Sequence, residues 1–494
     1  MTDLTTREQG LCWRGLVALL RHPTPVVCLL LCALPLQAKT STPLLSRLPW
    51  SAPSPKLTDS ALMDRLERAA LRYFWDEADP VSGLIKDRAA NWGPDLYHVC
   101  NIAPTGLGLG CLAVGARRGW IPRARVVERV RRTLSFVERK VPNDHGWMPR
   151  FLEMRTGQRV WNCETSTIDT TLCLWGARLA ARLLKDPQVT AVTERLCRRV
   201  DWNYVTTRGG TEPGAVLVAH GIDAKGTFLG NNWDNYSEGV LIYFLGLGAP
   251  EGALPRSSWA AWRRNWGSYQ GQRTYECPCL FTFLMPMALL DVRGLKDPEH
   301  SDLWGATVRK VRADQLFCAV HPEARAFIDA AGRCSNLPLF GVSACDGPPG
   351  YRAYGAPPGP SEWDGTLHPP MLAATALTSP GPAMRGVRAL LTLDAALARE
   401  EARSPERRRA NQVPLGPREP SGASARGPLR LWGKYGLPGG ANLQQRWVAR
   451  DQIGLDLAIE VLALEDRRTG LPWRALAGDP WVRRAMAKIG SLGR

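Results

Sequence analysis

Thr167-Ile168-Asp169-Thr170-Thr171-Leu172-Cys173-Leu174-Trp175-Gly176-Ala177-Arg178-Leu179-Ala180-Ala181-Arg182-Leu183-Leu184 carries the reading of the fold. Its apolar residues recur closer to the 3.6-residue period of a helix than to the 2-residue period of a strand. Ser166 or Thr167 offers an N-cap, and a helix N-terminus favours a carboxylate such as Asp169 on its first turns. Working outward, similar stretches alternate with Gly, Pro and Asn punctuation. Upstream they run from Asp59, as a cap, to Trp75, from Pro104 to Arg117 and from Arg123 to Lys140. Downstream come Val189 to Trp202, Ser237 to Leu247, Ser257 to Trp266, Phe281 to Val292, Trp304 to Phe317, Pro370 to Leu377, Pro382 to Glu400, Ile453 to Leu464 and Pro480 to Ile489. The main β run is Ala215 to Ala219. About a dozen amphipathic helices with no fixed-period repeat predict an all-α toroid, with inner and outer helices alternating and the loops at one end building a site.

Composition narrows the function classes. The chain has 494 residues, 45% of them hydrophobic and 22% charged, enough to bury a large core. The net charge of +17 is spread along the chain, and no nucleic-acid motif accompanies it, so a nucleic-acid partner is not expected. Nineteen tryptophans lean toward carbohydrate, because indole suits the flat apolar face of a sugar ring, although most of them read as helix-packing residues.

The first 38 residues read as a secretory signal: Arg14, Arg21 and His22 precede the apolar run Val26 to Leu36, and Leu36-Gln37-Ala38 offers a cleavage position. A retained anchor is the alternative, and without one no integral membrane association is expected. Residues 39–56 read as a linker, residues 57–494 as the helical domain, and 401–428 as an exposed insertion within it rich in Arg, Pro, Gly and Ser. The expected location is periplasmic or extracellular. The ten cysteines beyond the signal permit disulfides in an exported chain, but most sit in apolar helical patterns where Cys acts as a small buried hydrophobe. Cys277-Pro278-Cys279 has neither zinc spacing nor His neighbours, so no metal is expected.

Five segments combine acids, aromatics and glycines at element boundaries: 75–88, 160–170, 232–239, 343–358 and 361–366. Cleaving a glycosidic bond needs an acid to protonate the leaving oxygen and a carboxylate on the opposite face, with rings to hold the sugars. Glu164 falls in a loop entering a helix and Asp169 on its first turns. Glu238, behind Trp233, Asp234 and Tyr236 and before Val240-Leu241-Ile242, is placed to be desolvated, which raises a carboxyl pKa toward that of a general acid. Ser237 as N-cap with Glu238 at the first helical position is the competing reading. Asp346 opens a rigid Gly- and Pro-rich loop holding Tyr351, Arg352 and Tyr354, with Asp364 and Asp456 as weaker candidates.

At these segments, from about Leu62 to the C-terminus, the chain resembles the bacterial glycoamylase-like proteins, which include endo-β-1,2-glucanases and the transglycosylase domain of cyclic β-1,2-glucan synthases. The resemblance is carried by Tyr73-Phe74-Trp75, Gly83-Leu84-Ile85, Ala103-Pro104-Thr105-Gly106, Trp161 through Thr170, Trp233 through Glu238, Asp346-Gly347-Pro348, Gly350 through Pro358, Asp364-Gly365-Thr366, Leu431 through Gly436 and Arg468-Thr469-Gly470-Leu471. It implies an (α/α)₆ barrel, a glucan substrate and hydrolysis, or transglycosylation, without metal or organic cofactor. Glu238 becomes the expected general acid, with Glu164 and Asp169 as catalytic partners that hold substrate or activate water. Trp161, Trp233, Asp234, Tyr236, Asp346, Tyr351, Arg352, Tyr354 and Asp364 are the expected substrate-binding residues. An inverting pair of carboxyls would stand roughly 6.5 to 9.5 Å apart and a retaining pair closer.

The chain also departs from the pattern. Where relatives carry a His- and Gln-containing segment it reads Leu280-Phe281-Thr282-Phe283-Leu284-Met285-Pro286-Met287, and no acid follows Tyr435-Gly436. Those departures motivate the alternative of a non-catalytic glycan-binding envelope protein on the same barrel. A lyase would need a Tyr or His base, and none of the seven histidines lies in the five segments.

Overall fold

Ser166 is the cap of the stretch that opened the reading: its hydroxyl accepts from the Asp169 amide at 3.1 Å and the helix runs Thr167–Leu184. A computed structural model of the chain describes residues 51–328, 334–360, 362–403 and 426–492. The expected signal, most of the linker and most of the 401–428 insertion lie outside the described residues.

In chain order the helices are α1 (Asp59–Asp76), α2 (Ile102–Arg117), α3 (Arg123–Lys140), α4 (Thr167–Leu184), α5 (Pro187–Arg198), α6 (Trp202–Thr206), α7 (Val240–Gly248) and α8 (Arg256–Ala261). They continue as α9 (Phe281–Met287), α10 (Leu303–Val320), α11 (Pro369–Ala374), α12 (Pro380–Arg403), α13 (Gly454–Arg468), α14 (Leu471–Ala477) and α15 (Pro480–Ile489). The strands among the described residues are short and pair two by two, so the structure is mostly helical with small two-stranded sheets. No helix among the described residues is long and apolar enough to cross a membrane.

Two kinds of helix are present. α2, α4, α7, α11 and α13 are buried nearly all round, with Val240 through Gly248 of α7 buried without exception. α3, α5 and α15 bury a single apolar face, such as Val126, Val130, Leu134 and Val137 of α3. The tightest pairing is α2 against α4. A Cβ on Gly106 would fall 2.2 Å from the Cys173 Cα, and one on Gly176 would fall 2.0 Å from the Gly106 carbonyl oxygen. The two backbones therefore touch, which only glycine permits. α4 is tied to α7 by the Trp175 indole, which donates to the Leu241 carbonyl at 3.1 Å. It is tied to the cap of α15 by the buried Arg178, whose Nη2 donates to both Asp479 oxygens at 2.6 and 2.8 Å.

Several expected elements change. Ala215 to Ala219 is not a strand; Ala219 makes one isolated bridge to Asn232. Val189 to Trp202 divides into α5 and α6, because the Asp201 side chain caps a new helix through the Tyr204 amide at 3.1 Å. The Ser257 to Trp266 stretch stops at Ala261, where Arg264 folds back to donate to the Trp259 and Trp262 carbonyls at 2.9 and 2.7 Å. Trp266–Tyr269 then pairs with Gln272–Tyr275 around Gln270-Gly271, both at positive φ as a tight hairpin turn requires. α9 ends at Met287, short of the expected Val292, and holds Pro286 inside it, whose missing amide leaves the Thr282 carbonyl without its helical donor. α7 begins at Val240 with Gly239 as its cap, so Glu238 lies in the turn before the helix and not at its first position. Among the described residues nine cysteines are free, all buried except the half-buried Cys277.

Candidate active site

The N-terminal ends of α2, α4, α9 and α13 and the turn before α7 open onto one cavity of about 460 Å³. Asn101, the cap of α2, lies beside Ser166, Ile168, Asp169 and Leu172 of α4, Phe281 and Met285 of α9, and Ile453, Leu455 and Asp456 at the start of α13. Exposed amides and aligned peptide dipoles make such ends favourable to negative charge. The acids follow that field: Asp169 and Asp456 sit in first turns, and the Glu238 carbonyl accepts from the Leu241 amide at 3.0 Å as α7 begins.

Asp169 is 6% exposed and takes a 2.5 Å hydrogen bond from the Ser166 hydroxyl. Arg150 joins two acids, its Nη1 standing 3.4 Å from Glu164 Oε1 and its Nε 3.8 Å from Asp169 Oδ2. Burial raises the Asp169 pKa, while Arg150 and Ser166 hold part of that rise back. Burial alone would depress Arg150, but Asp169 and Glu164 carry it above the ordinary arginine value and keep it cationic.

Glu238 is placed differently. Among the described residues no cation makes an ion pair with it, and burial pushes its pKa from the ordinary 4.5 up to about 7; the negative field of Asp169 adds to the rise, while its own amide and the more distant Arg150 oppose it. The cavity therefore holds a carboxyl whose proton affinity is lifted to about neutrality together with two acids gathered on one arginine. That is the separation of roles that general acid and base chemistry requires.

Trp233 walls the same space. Its indole donates to Thr167 Oγ1 at 3.0 Å and its ring lies 4.1 Å from the His220 ring. A Cβ on Gly239 would meet Trp233 Cε3 at 2.7 Å, so glycine after Glu238 lets the ring lie against the chain there. Burial lowers the His220 pKa and favours its neutral form.

Residues 230–401 match the family model described as "Glycoamylase: Putative glucoamylase". The chain is similar, at 21% identity over 480 residues, to the exo β-1,2-glucooligosaccharide sophorohydrolase (non-reducing end) of Parabacteroides distasonis. That match covers 90% of this chain and 59% of the relative, so the chain spans about three fifths of the length of that curated relative. The endo-β-1,2-glucanase of Chitinophaga pinensis, solved with sophorotriose and glucose, shares the fold with a TM-score of 0.70 at 19% identity over 88% of this chain and 98% of that one. A β-1,2-glucanase from Parabacteroides distasonis gives a TM-score of 0.70 at 19% identity over 88% of this chain and 60% of that one.

The cavity gathers five of the expected catalytic and substrate-binding residues: Glu238, Asp169, Glu164, Trp233 and Tyr351. Trp161 is half-exposed and lies beyond the cavity wall, against Phe151. The remaining expected binding residues do not line this space. Tyr236 is buried and stacks on Tyr275 with ring centroids 4.3 Å apart, because its side chain turns toward the core. Asp234 points outward to Arg263 at 2.7 Å. Tyr354 is buried under Gly347 and donates to Asp364 Oδ2 at 2.9 Å, so both brace the loop. Arg352 is exposed, and its nearest acid is Glu362 at 3.8 Å. Asp346 is buried one layer behind the wall, where it holds Arg88 Nη1 at 3.0 Å.

Sequence reasoning missed Arg150 and His220, which line the cavity from loops without an acid-aromatic signature, and passed over Arg88, the last residue of the 75–88 segment, which lines it from the start of a short strand. Asp456 was underweighted: its Oδ2 stands 3.2 Å from Nε2 of the fully buried His368, two residues after the Asp364-Gly365-Thr366 segment. Phe281 and Met285, on adjacent turns, give the cavity an apolar wall in the segment that departs from the relatives' pattern.

The Glu238 environment has a consequence for stability. Its folded pKa lies above the unfolded one, so its contribution is fully present below pH 4.5 and is lost as pH rises through about 7. Glu238→Gln removes the burial of a charge, so urea unfolding should show the variant about as stable as the wild type at pH 4.5 and more stable at pH 8, by on the order of 3 kcal/mol. Parallel stability curves for the two proteins would refute this.

Proposed function

We propose that the chain is a glycoside hydrolase of β-1,2-linked glucan, built on an (α/α)₆ barrel whose inner helices start at the cavity. Glu238 donates its proton to the glycosidic oxygen, so the departing sugar leaves as a neutral alcohol. Asp169 and Glu164, held by Arg150, bind the substrate's reacting face and take the proton of the attacking water. Trp233 and Tyr351 hold sugar rings. The observation that carries this reading is a carboxyl with a pKa near 7 sharing one open cavity with two acids on a common arginine. The barrel is supported by helices buried all round beside helices buried on one face, and the linkage by the names of the relatives. Export to the periplasm or beyond is part of the same proposal and rests on the N-terminal pattern.

Incubation with glucans of defined linkage tests the reading directly. Shorter β-1,2-linked oligosaccharides should appear from β-1,2-glucan and from no other linkage at a comparable rate. Absence of product from the whole panel would end the hydrolase reading. The apolar wall of Phe281 and Met285 favours one alternative, a glycan-binding protein without turnover on the same barrel. Calorimetry separates the two, because that protein would bind the oligosaccharides and leave them intact.

A further inference from the structure

The turn Val160-Trp161-Asn162-Cys163 is closed by the Cys163 amide donating to the Val160 carbonyl at 3.2 Å, with both central residues at positive φ, +57° for Trp161 and +50° for Asn162. Such a turn is the habitual place of Asn and Gly, and a bulky residue held there is strained by about 1 kcal/mol or more. Here the bulky residue is a tryptophan that hides only half of its surface, with a relative exposure of 49%. Neither the turn nor the core gains from that choice.

The ring has neighbours that give it a direction. Phe151, which lines the cavity, meets Trp161 with centroids 5.3 Å apart. The Tyr97 ring lies 6.4 Å from that of Trp161. Tyr97 in turn lines a second cavity of about 450 Å³, shared with Lys86, His98, Glu153 and Arg155 and the acids Asp76, Glu77 and Asp79. Each step between rings is on the scale of one pyranose residue. The three rings thus link the reaction cavity, through Phe151, to a pocket of charged and polar groups able to bond hydroxyls, through Tyr97, and aromatic rings suit the apolar faces of sugars.

We propose that Phe151, Trp161 and Tyr97 form a track that carries the glucan chain from the reaction cavity to a distal oligosaccharide-binding site in the second cavity. This rests on the glucan hydrolase reading and adds that the protein selects long chains, with Trp161 as a residue that sets chain-length preference. The occupant of the second cavity is the distal part of the same glucan molecule. Its bonding partners there are Lys86, held 2.7 Å from Glu77 and 3.4 Å from Asp95, together with His98 and Arg155.

The test compares a β-1,2-linked trisaccharide with a β-1,2-glucan of twenty or more residues. Trp161→Ala should lower kcat/KM on the long chain about tenfold more than on the trisaccharide, mainly through KM, and Tyr97→Ala should act in the same direction. Calorimetry in the Glu238→Gln background gives a readout independent of turnover: Trp161→Ala should weaken long-chain binding about tenfold more than trisaccharide binding. Equal changes for both lengths, or none, overturn the track. Binding that behaves as expected while the wild type releases no product would overturn the hydrolase reading and leave the track standing. Trp161→Phe, which keeps a ring on the turn, should restore most of the long-chain preference, whereas a merely structural role would not depend on substrate length.

Discussion

Glu238→Gln is expected to lower kcat on β-1,2-glucan by about 10³-fold with little change in substrate affinity, since a positioned general acid contributes about 10² to 10⁴. Glutamine keeps the shape and the turn before α7 but has no proton to deliver. The discriminating comparison uses the leaving group. An aryl β-glucoside whose phenol departs readily needs little protonation, so the variant should lose far less activity on it than on glucan. Equal losses on both substrates would show that Glu238 only shapes the site. In the wild type the basic limb of kcat/KM should fall as pH rises through about 7, the value to which burial lifts this carboxyl, and that limb should be absent from the residual activity of the variant.

Gly176→Ala is expected to destabilise the protein by about 3 kcal/mol or more, measured as a lowered midpoint of chemical unfolding. The added Cβ would stand 2.0 Å from the Gly106 carbonyl oxygen and 2.4 Å from the Leu107 amide, and backbone cannot swing aside as a side chain can. α2 and α4 must separate. Asn101 and Ser166 cap those same two helices at the cavity, so separation also displaces Asp169 from Glu238, and the remaining folded enzyme should have a reduced kcat. Gly230 provides the control: nothing lies within 4 Å of its Cβ position, so Gly230→Ala should unfold with the wild type. Wild-type stability in Gly176→Ala would mean that the helices do not meet at this crossing.

The two effects share one arrangement. Close approach of buried helices aligns their N-termini on a single space, the partial positive ends gather the carboxylates, and burial then separates their proton affinities. Arg150 sets the contrast by pairing with Glu164 and Asp169, while Glu238 has no ion-pair partner among the described residues.

The sequence by itself determined the helices and their ends wherever the signal was local. Arg123–Lys140, Thr167–Leu184 and Pro480–Ile489 follow from periodicity, and Thr167–Leu184 also from its Ser166 cap, since a helix is stabilised by bonds and contacts within a few residues. It also marked the neighbourhoods of Glu238, Asp169 and Glu164, because acids beside aromatics at helix starts are unusual. Only the tertiary structure decided which marked residues meet. Arg150 and His220 reach the cavity from unmarked loops, while Tyr236, Tyr354 and Asp364, from marked segments, turn away into the core or brace a loop. Side-chain direction at a loop depends on what packs against it from distant parts of the chain. A carboxyl pKa likewise depends on the water that packing removes and the charges it brings near, and neither is written in the order of residues.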